Sequence, residues 1–261
     1  MALSIASLRQ VKATLPARIC LYGTPGIGKT TLAAEFPNAA FLQVEDGTPG
    51  GEGVMSFGHL TTFEQVVEAI AALAGEEHDR QTVVLDSLDK LEPLVWAKTC
   101  ADNNWKDIEQ PGYGKGYVAA DVVWRELFEG LNYLRRERGM MIVLIAHSTI
   151  DRVDNPTGAS YSRFDIRLQK RALALVQDEV DAILFIKQDE TIKTEDAGFN
   201  KTRAHATGGE ARWIFTDGRP GFTAKNRYDM PGKIMFAKGK GFAALAPYLP
   251  GYTEPASQQA A

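Results

Sequence analysis

Residues 23–30 read Gly-Thr-Pro-Gly-Ile-Gly-Lys-Thr, a complete G-x-x-x-x-G-K-T phosphate-binding loop. The apolar run Arg18-Ile19-Cys20-Leu21-Tyr22 before it predicts a buried strand, and Thr31-Leu32-Ala33-Ala34-Glu35-Phe36 after it predicts a helix. Strand, loop and helix in that order confine the chain to an α/β fold with the loop at the carboxyl edge of a sheet. The glycines let consecutive N–H groups turn inward on a triphosphate, and the start of the helix adds its dipole. Gly23, Thr24, Pro25, Gly26, Ile27, Gly28, Lys29, Thr30 and Thr31 are therefore the expected nucleotide-binding residues. Lys29 would reach the β- and γ-phosphates, and the Thr30 hydroxyl would bind Mg2+.

Strands and helices alternate along the rest of the chain, which predicts a mostly parallel sheet flanked by helices. Ala39–Val44, Thr82–Asp86, Met140–Ala146 and Ala182–Ile186 read as further strands. Thr61-Thr62-Phe63-Glu64 reads as a capping box opening a helix that Gly75 ends, and a second long helix is expected from about Tyr117 to Arg138. Beyond Gln188 the pattern becomes short strands, with Gly208-Gly209 as the expected turn of a β-hairpin between Arg203–Thr207 and Glu210–Thr216.

With 261 residues, 44% of them hydrophobic, the chain can bury a full core without disulfides. Cys20 and Cys100 are too few and too far apart for a disulfide framework or a metal-ligand pattern. The start, Met1-Ala2-Leu3-Ser4-Ile5-Ala6-Ser7, lacks the charged and apolar regions of a signal peptide, and no apolar run is long enough to span a bilayer. A cytoplasmic protein without a membrane partner is expected. The net charge of -4 provides no global basic field, so any nucleic-acid binding must come from local patches.

Triphosphate chemistry should sit where the strands end. Asp86 closes Val83-Val84-Leu85 and would hold Mg2+ beside Thr30. Glu45, after the second strand and before Gly47-Thr48-Pro49-Gly50-Gly51, is the expected carboxylate that activates water, with Asp46 as the alternative. Asp89 is a nearby acid expected to lie in a helix. His147 ends the fourth strand, where it could donate a hydrogen bond to the γ-phosphate.

This layout resembles the RecA-like ATPases, specifically the phage-encoded AAA-type proteins that include the Sak-type single-strand annealing ATPases. The resemblance covers roughly residues 15–245. It implies a RecA-like P-loop NTPase core with a C-terminal β-hairpin extension. The implied divisions are an N-terminal segment at 1–14, an ATPase domain at 15–250 with the hairpin at about 188–245, and a disordered tail at 251–261. It also implies an Mg2+-dependent, DNA-stimulated ATPase, located in the host cytoplasm if phage-encoded. Glu45 occupies the family's catalytic position and His147 its sensor position. Lys225-Asn226-Arg227-Tyr228 is similar to the Lys-Asn-Arg motif of RadA and the DnaB-type helicases. There the Lys and Arg reach the neighbouring subunit's γ-phosphate, so the resemblance implies a homo-oligomer, ring or filament, with Lys225 and Arg227 acting in trans.

RecA-like proteins hold single-stranded DNA on loops after the second-motif and sensor strands. The corresponding segments are Trp105–Tyr117, with two tyrosines and a lysine among glycines, and Asp151–Phe164, expected to be a long polar loop. Lys115, Tyr117, Arg152, Arg163 and Arg167 are the candidate DNA contacts, and Lys170 and Arg171 follow closely. Single-strand annealing or pairing in recombination, with a single-strand-binding protein as a candidate partner, is the leading reading. A replicative motor or helicase loader, a P-loop small-molecule kinase and a non-hydrolysing nucleotide switch are the alternatives.

Overall fold

A computed structural model of the chain describes residues 15–47, 53–156, 158–196, 202–250 and 252, with the backbone alone for 189–196 and 202–210. The elements are β1 (Arg18–Gly23), α1 (Lys29–Ala34), β2 (Ala39–Gln43), β3 (Ser56–His59), α2 (Phe63–Gly75), β4 (Thr82–Asp86), α3 (Leu88–Asn103), α4 (Lys115–Glu137), β5 (Met141–Val153), β6 (Tyr161–Ile166), α5 (Lys170–Glu179), β7 (Ala182–Asp196), β8 (Thr202–Phe215), β9 (Lys225–Asn226), β10 (Lys233–Phe236) and α6 (Gly241–Leu245).

The main sheet runs β10-β8-β7-β1-β5-β4-β2-β3, with β6 on β5 and β9 on β7. The six strands from β7 to β3 pair in parallel, and β8 and β10 add antiparallel. Its central strands are apolar throughout because both faces are covered. Ile19, Leu21, Val143, Ile145 and Leu184 face Leu32 and Phe36, on and just after α1, and Phe242 of α6. Cys20, Tyr22, Leu85, Leu144 and Phe185 face α2, α3, α4 and α5, among them the buried Trp124.

Several elements differ from the sequence expectation. Helix α1 begins inside the motif, at Lys29, because Gly28 takes a left-handed conformation (φ 98°) that turns the chain into the helix. The cap of α2 is shifted by one: Thr62 accepts from the Gln65 N–H, and the Gln65 side chain accepts from the Thr61 N–H. Helix α4 starts two residues early, at Lys115.

The expected loop at 151–164 is largely strand. β5 continues for 13 residues, and its outer half pairs antiparallel with β6, from Ser148↔Ile166 to Val153↔Tyr161. Between 150 and 164 the large apolar residues, Ile150 and Val153 on β5 and Tyr161 and Phe164 on β6, stand three apart within each strand, so the sequence carries no period-two signal there. Gly208-Gly209 is also not a turn. β8 is one strand, and the pair lies at a register shift where Gln188 to Glu190 on β7 faces Arg212 to Gly208 on β8. The shift inserts extra residues into β8, which glycine tolerates. The hairpin's connection at 197–201, the segment 1–14, most of the turn at 47–51 and the tail beyond Tyr252 lie outside the described residues.

Candidate nucleotide site

Strand register assembles the site. β1 and β5 pair through Gly23↔His147, β4 and β5 through Asp86↔Ile145, and β2 and β4 through Gln43↔Asp86. The carboxyl edge therefore aligns the phosphate loop, His147 and Asp86. The chain leaving β2 is held there too, because the N–H groups of Val44 and Glu45 both donate to Asp86 O, at 2.7 and 3.1 Å. A cleft of about 320 Å³ opens at this edge, lined by Gly26, Lys29, Thr30, Glu45, Asp86 and His147 among others.

Lys29 is buried, and its Nζ donates to Gly23 O at 3.2 Å and Thr24 O at 3.1 Å. Burial lowers its pKa, and the nearby Asp86, Asp89 and Glu45 charges oppose that shift. Thr30 Oγ1 donates to Asp86 Oδ2 at 2.8 Å. Burial raises the Asp86 pKa, and this hydrogen bond works the other way. Among the described residues no group of three or more His, Cys, Asp or Glu forms a metal cage. A hydroxyl and a carboxylate side by side instead fit a cation that keeps water and phosphate oxygens as its remaining ligands, the habit of Mg2+.

Glu45 Oε2 accepts from Ser87 Oγ at 3.1 Å and lies 3.9 Å from His147 Nδ1. Asp46 is exposed and does not line the cleft. Of the two acids weighed in the sequence, Glu45 is the one that faces the phosphate loop.

The residue that organises this edge is Asp89. Its carboxylate accepts from the His147 backbone N–H at 2.9 Å, from His147 Nδ1 at 3.1 Å, and from Arg167. Burial pushes its pKa up, but the hydrogen bonds from His147 and Arg167 outweigh burial and hold it well below the usual carboxylate range. With Nδ1 bonded to Asp89, the other ring nitrogen is left for the cleft. Asp89 stands in the first turn of α3, three residues after Asp86, so its side chain folds back to the strand end. That spacing was the available signal. Ser87 carried none.

The remaining candidates do not gather at the cleft. Lys225 Nζ donates to the Gln177 and Val180 carbonyls at the end of α5, and Arg227 pairs with Asp181 at 3.3 Å. Asp181 precedes β7 and also holds Arg18 and Arg135. Lys225 and Arg227 thus lie at the amino end of the sheet, opposite their own phosphate loop, with Arg227 56% exposed.

The DNA candidates are similarly dispersed. Lys115 is exposed at the start of α4. Tyr117 is not a free stacking surface: its hydroxyl donates to Glu109, and its ring packs edge-on against Trp96 at 5.6 Å. Tyr113 is the fully exposed ring of that segment. Arg152 projects from the β5–β6 hairpin, Arg163 turns back to the buried Asp165, and Arg167 is held by Asp89. Of the two cations that follow, Arg171 pairs with Asp121.

No helix among the described residues is long and apolar enough to cross a membrane. A family model described as an AAA domain matches residues 15–228. No curated protein matches the chain. Among solved structures it is similar to a crystal structure of the RadB recombinase, at 13% identity and a TM-score of 0.48, covering 85% of this chain and 88% of that one.

Proposed function

Because the chain belongs to the AAA domain family, we propose that it is an Mg2+-dependent, DNA-stimulated ATPase that pairs or anneals single strands in recombination, as the Sak-type ATPases of phages do. The observation that carries the ATPase reading is the convergence of Lys29, the Thr30–Asp86 pair, Glu45 and His147 on one cleft. Lys29 would exchange its loop carbonyls for the β- and γ-phosphates. Glu45 would take a proton from the attacking water, with Ser87 fixing its carboxylate. His147, as an imidazolium with both ring nitrogens protonated, would donate to the γ-phosphate from the ring nitrogen that Asp89 leaves available. Mg2+, when bound at Thr30 and Asp86, would neutralise charge on the β- and γ-oxygens.

Two further observations support action on a strand as an oligomer. Arg167 joins Asp89, behind the sensor position, to the hairpin β5–β6, whose exposed Arg152 holds a loose ion pair with the equally exposed Asp154, at 3.6 Å, that phosphate could displace. Arg227 is exposed but far from its own loop, as a cation meant for a neighbour would be. ATP turnover measured with and without single-stranded DNA, at low and moderate salt, tests the reading. Strong, salt-sensitive stimulation lost in Lys29→Ala is expected. Turnover indifferent to DNA would defeat the DNA-coupled reading, and directional unwinding of a forked duplex would favour a replicative motor.

A further inference from the structure

Arg212 lies on β8, outside every motif read from the sequence, yet its guanidinium rests on the phosphate loop. A Cβ built on Gly28 would fall 2.7 Å from Arg212 Nη1 and 3.4 Å from its Cζ. Gly28 is the residue whose left-handed turn opens α1, immediately before Lys29. It is therefore where the backbone N–H groups that form the anion cradle converge.

Arg212 is half-buried, and no carboxylate or carbonyl among the described residues accepts a hydrogen bond from it. The other half-buried arginines near the sheet are engaged: Arg18 with Asp181 and Glu179, Arg135 with Asp181 and Pro16 O, and Arg163 with Asp165. A guanidinium held against an anion cradle with no acceptor of its own fits an acceptor that arrives with the ligand.

Sheet order fixes which part of the ligand. Thr30, Asp86, Glu45 and His147 cluster towards β5, β4 and β2, on one side of β1, whereas β8 lies on the other side, beyond β7. The γ-phosphate and its cation belong to the first side. The second side is left for the part of the phosphate chain nearer the ribose.

We propose that Arg212 is a second phosphate ligand of the nucleotide, acting in cis on the α- and β-phosphates across the loop from Lys29. This rests on the nucleotide site proposed above. It also gives the β7–β8 hairpin a direct stake in that site, because β8 carries Arg212 and pairs with β7 at Gln188↔Arg212.

The test is binding of ribose-labelled fluorescent ATP and ADP to the full chain and to Arg212→Ala, Arg212→Lys and Lys29→Ala. Arg212→Ala is expected to weaken both nucleotides by roughly tenfold or more, the usual worth of a charge-assisted hydrogen bond. Arg212→Lys should recover part of that loss. Because the contact lies away from the γ-phosphate, the ratio of ATP to ADP affinity should stay as in the wild type.

Arg212→Ala binding within twofold of wild type would overturn the proposal. A loss confined to ATP would overturn its placement on the α- and β-phosphates. Unchanged binding in Lys29→Ala would instead defeat the nucleotide site itself. If Arg212→Ala does not fold, Arg212→Lys decides: its bidentate geometry is gone, so wild-type affinity for both nucleotides counts against the contact.

Discussion

Two carboxylates on one face of α3 act in opposite ways. Asp89 is stabilised as an anion by His147 and Arg167, and its hydrogen bonds hold both the backbone and the ring of the histidine. Asp89→Asn is expected to lower kcat about tenfold with little change in KM for ATP, since one charge-assisted hydrogen bond is worth about 1.4 kcal/mol or more. Steady-state kinetics check this, and an unchanged kcat would remove Asp89 from the mechanism. Glu92, one turn later, is buried, and burial raises its pKa to about 7 even though the Gln169 N–H donates to it. The folded protein then keeps a proton that the unfolded chain releases between the ordinary value of 4.5 and about 7. Stability should therefore fall as pH rises through that window and level off above it. Between pH 5 and 8, wild type should lose on the order of 1–3 kcal/mol relative to Glu92→Gln in urea unfolding, and parallel midpoints for the two would contradict this.

Helix α4 carries the largest fully buried side chain, Trp124, which stacks on Phe128 beneath α2 and α3. Trp124→Ala is expected to cost about 3–5 kcal/mol, measured as a lowered urea midpoint, while nucleotide affinity under native conditions stays near wild type. Elements of this kind were legible in the sequence because their apolar spacing is dense. The parallel strands other than β3, together with α2, α4 and the phosphate loop, follow from pattern and punctuation. Short exposed elements were not. β3 is exposed along its whole length, and β6 alternates too weakly to be read as a strand. Within the site, Lys29, Thr30, Asp86, Glu45 and His147 were readable because each sits in a motif or just beyond a strand's apolar run. Asp89 was discounted for being helical, although the first turn of that helix returns its side chain to the strand end. Arg212 reaches the loop only through strand pairing between distant segments, and a single sequence does not reveal that pairing.

At the scale of the whole molecule, the phosphate loop stands at one end of the sheet and the exposed Arg227, with Lys225 and Asp181, at the other. A contact that joins the two is head-to-tail, which generates rings or open filaments. Lys29→Ala and Arg227→Ala should each abolish most turnover alone. An equal mixture should regain about a quarter of wild-type turnover, because intact sites reform where the two mutants meet in the productive order. No recovery on mixing would mean that Arg227 does not serve a neighbour. Strand β5 adds a mechanical consequence. The segment that seats His147 in the cleft continues without a break to Val153 at the exposed arm. At about 3.3 Å per residue that arm is roughly 20 Å long. A tilt of about 5° at its root would carry the far end by nearly 2 Å, so a small shift at the cleft would be magnified at the tip of the hairpin.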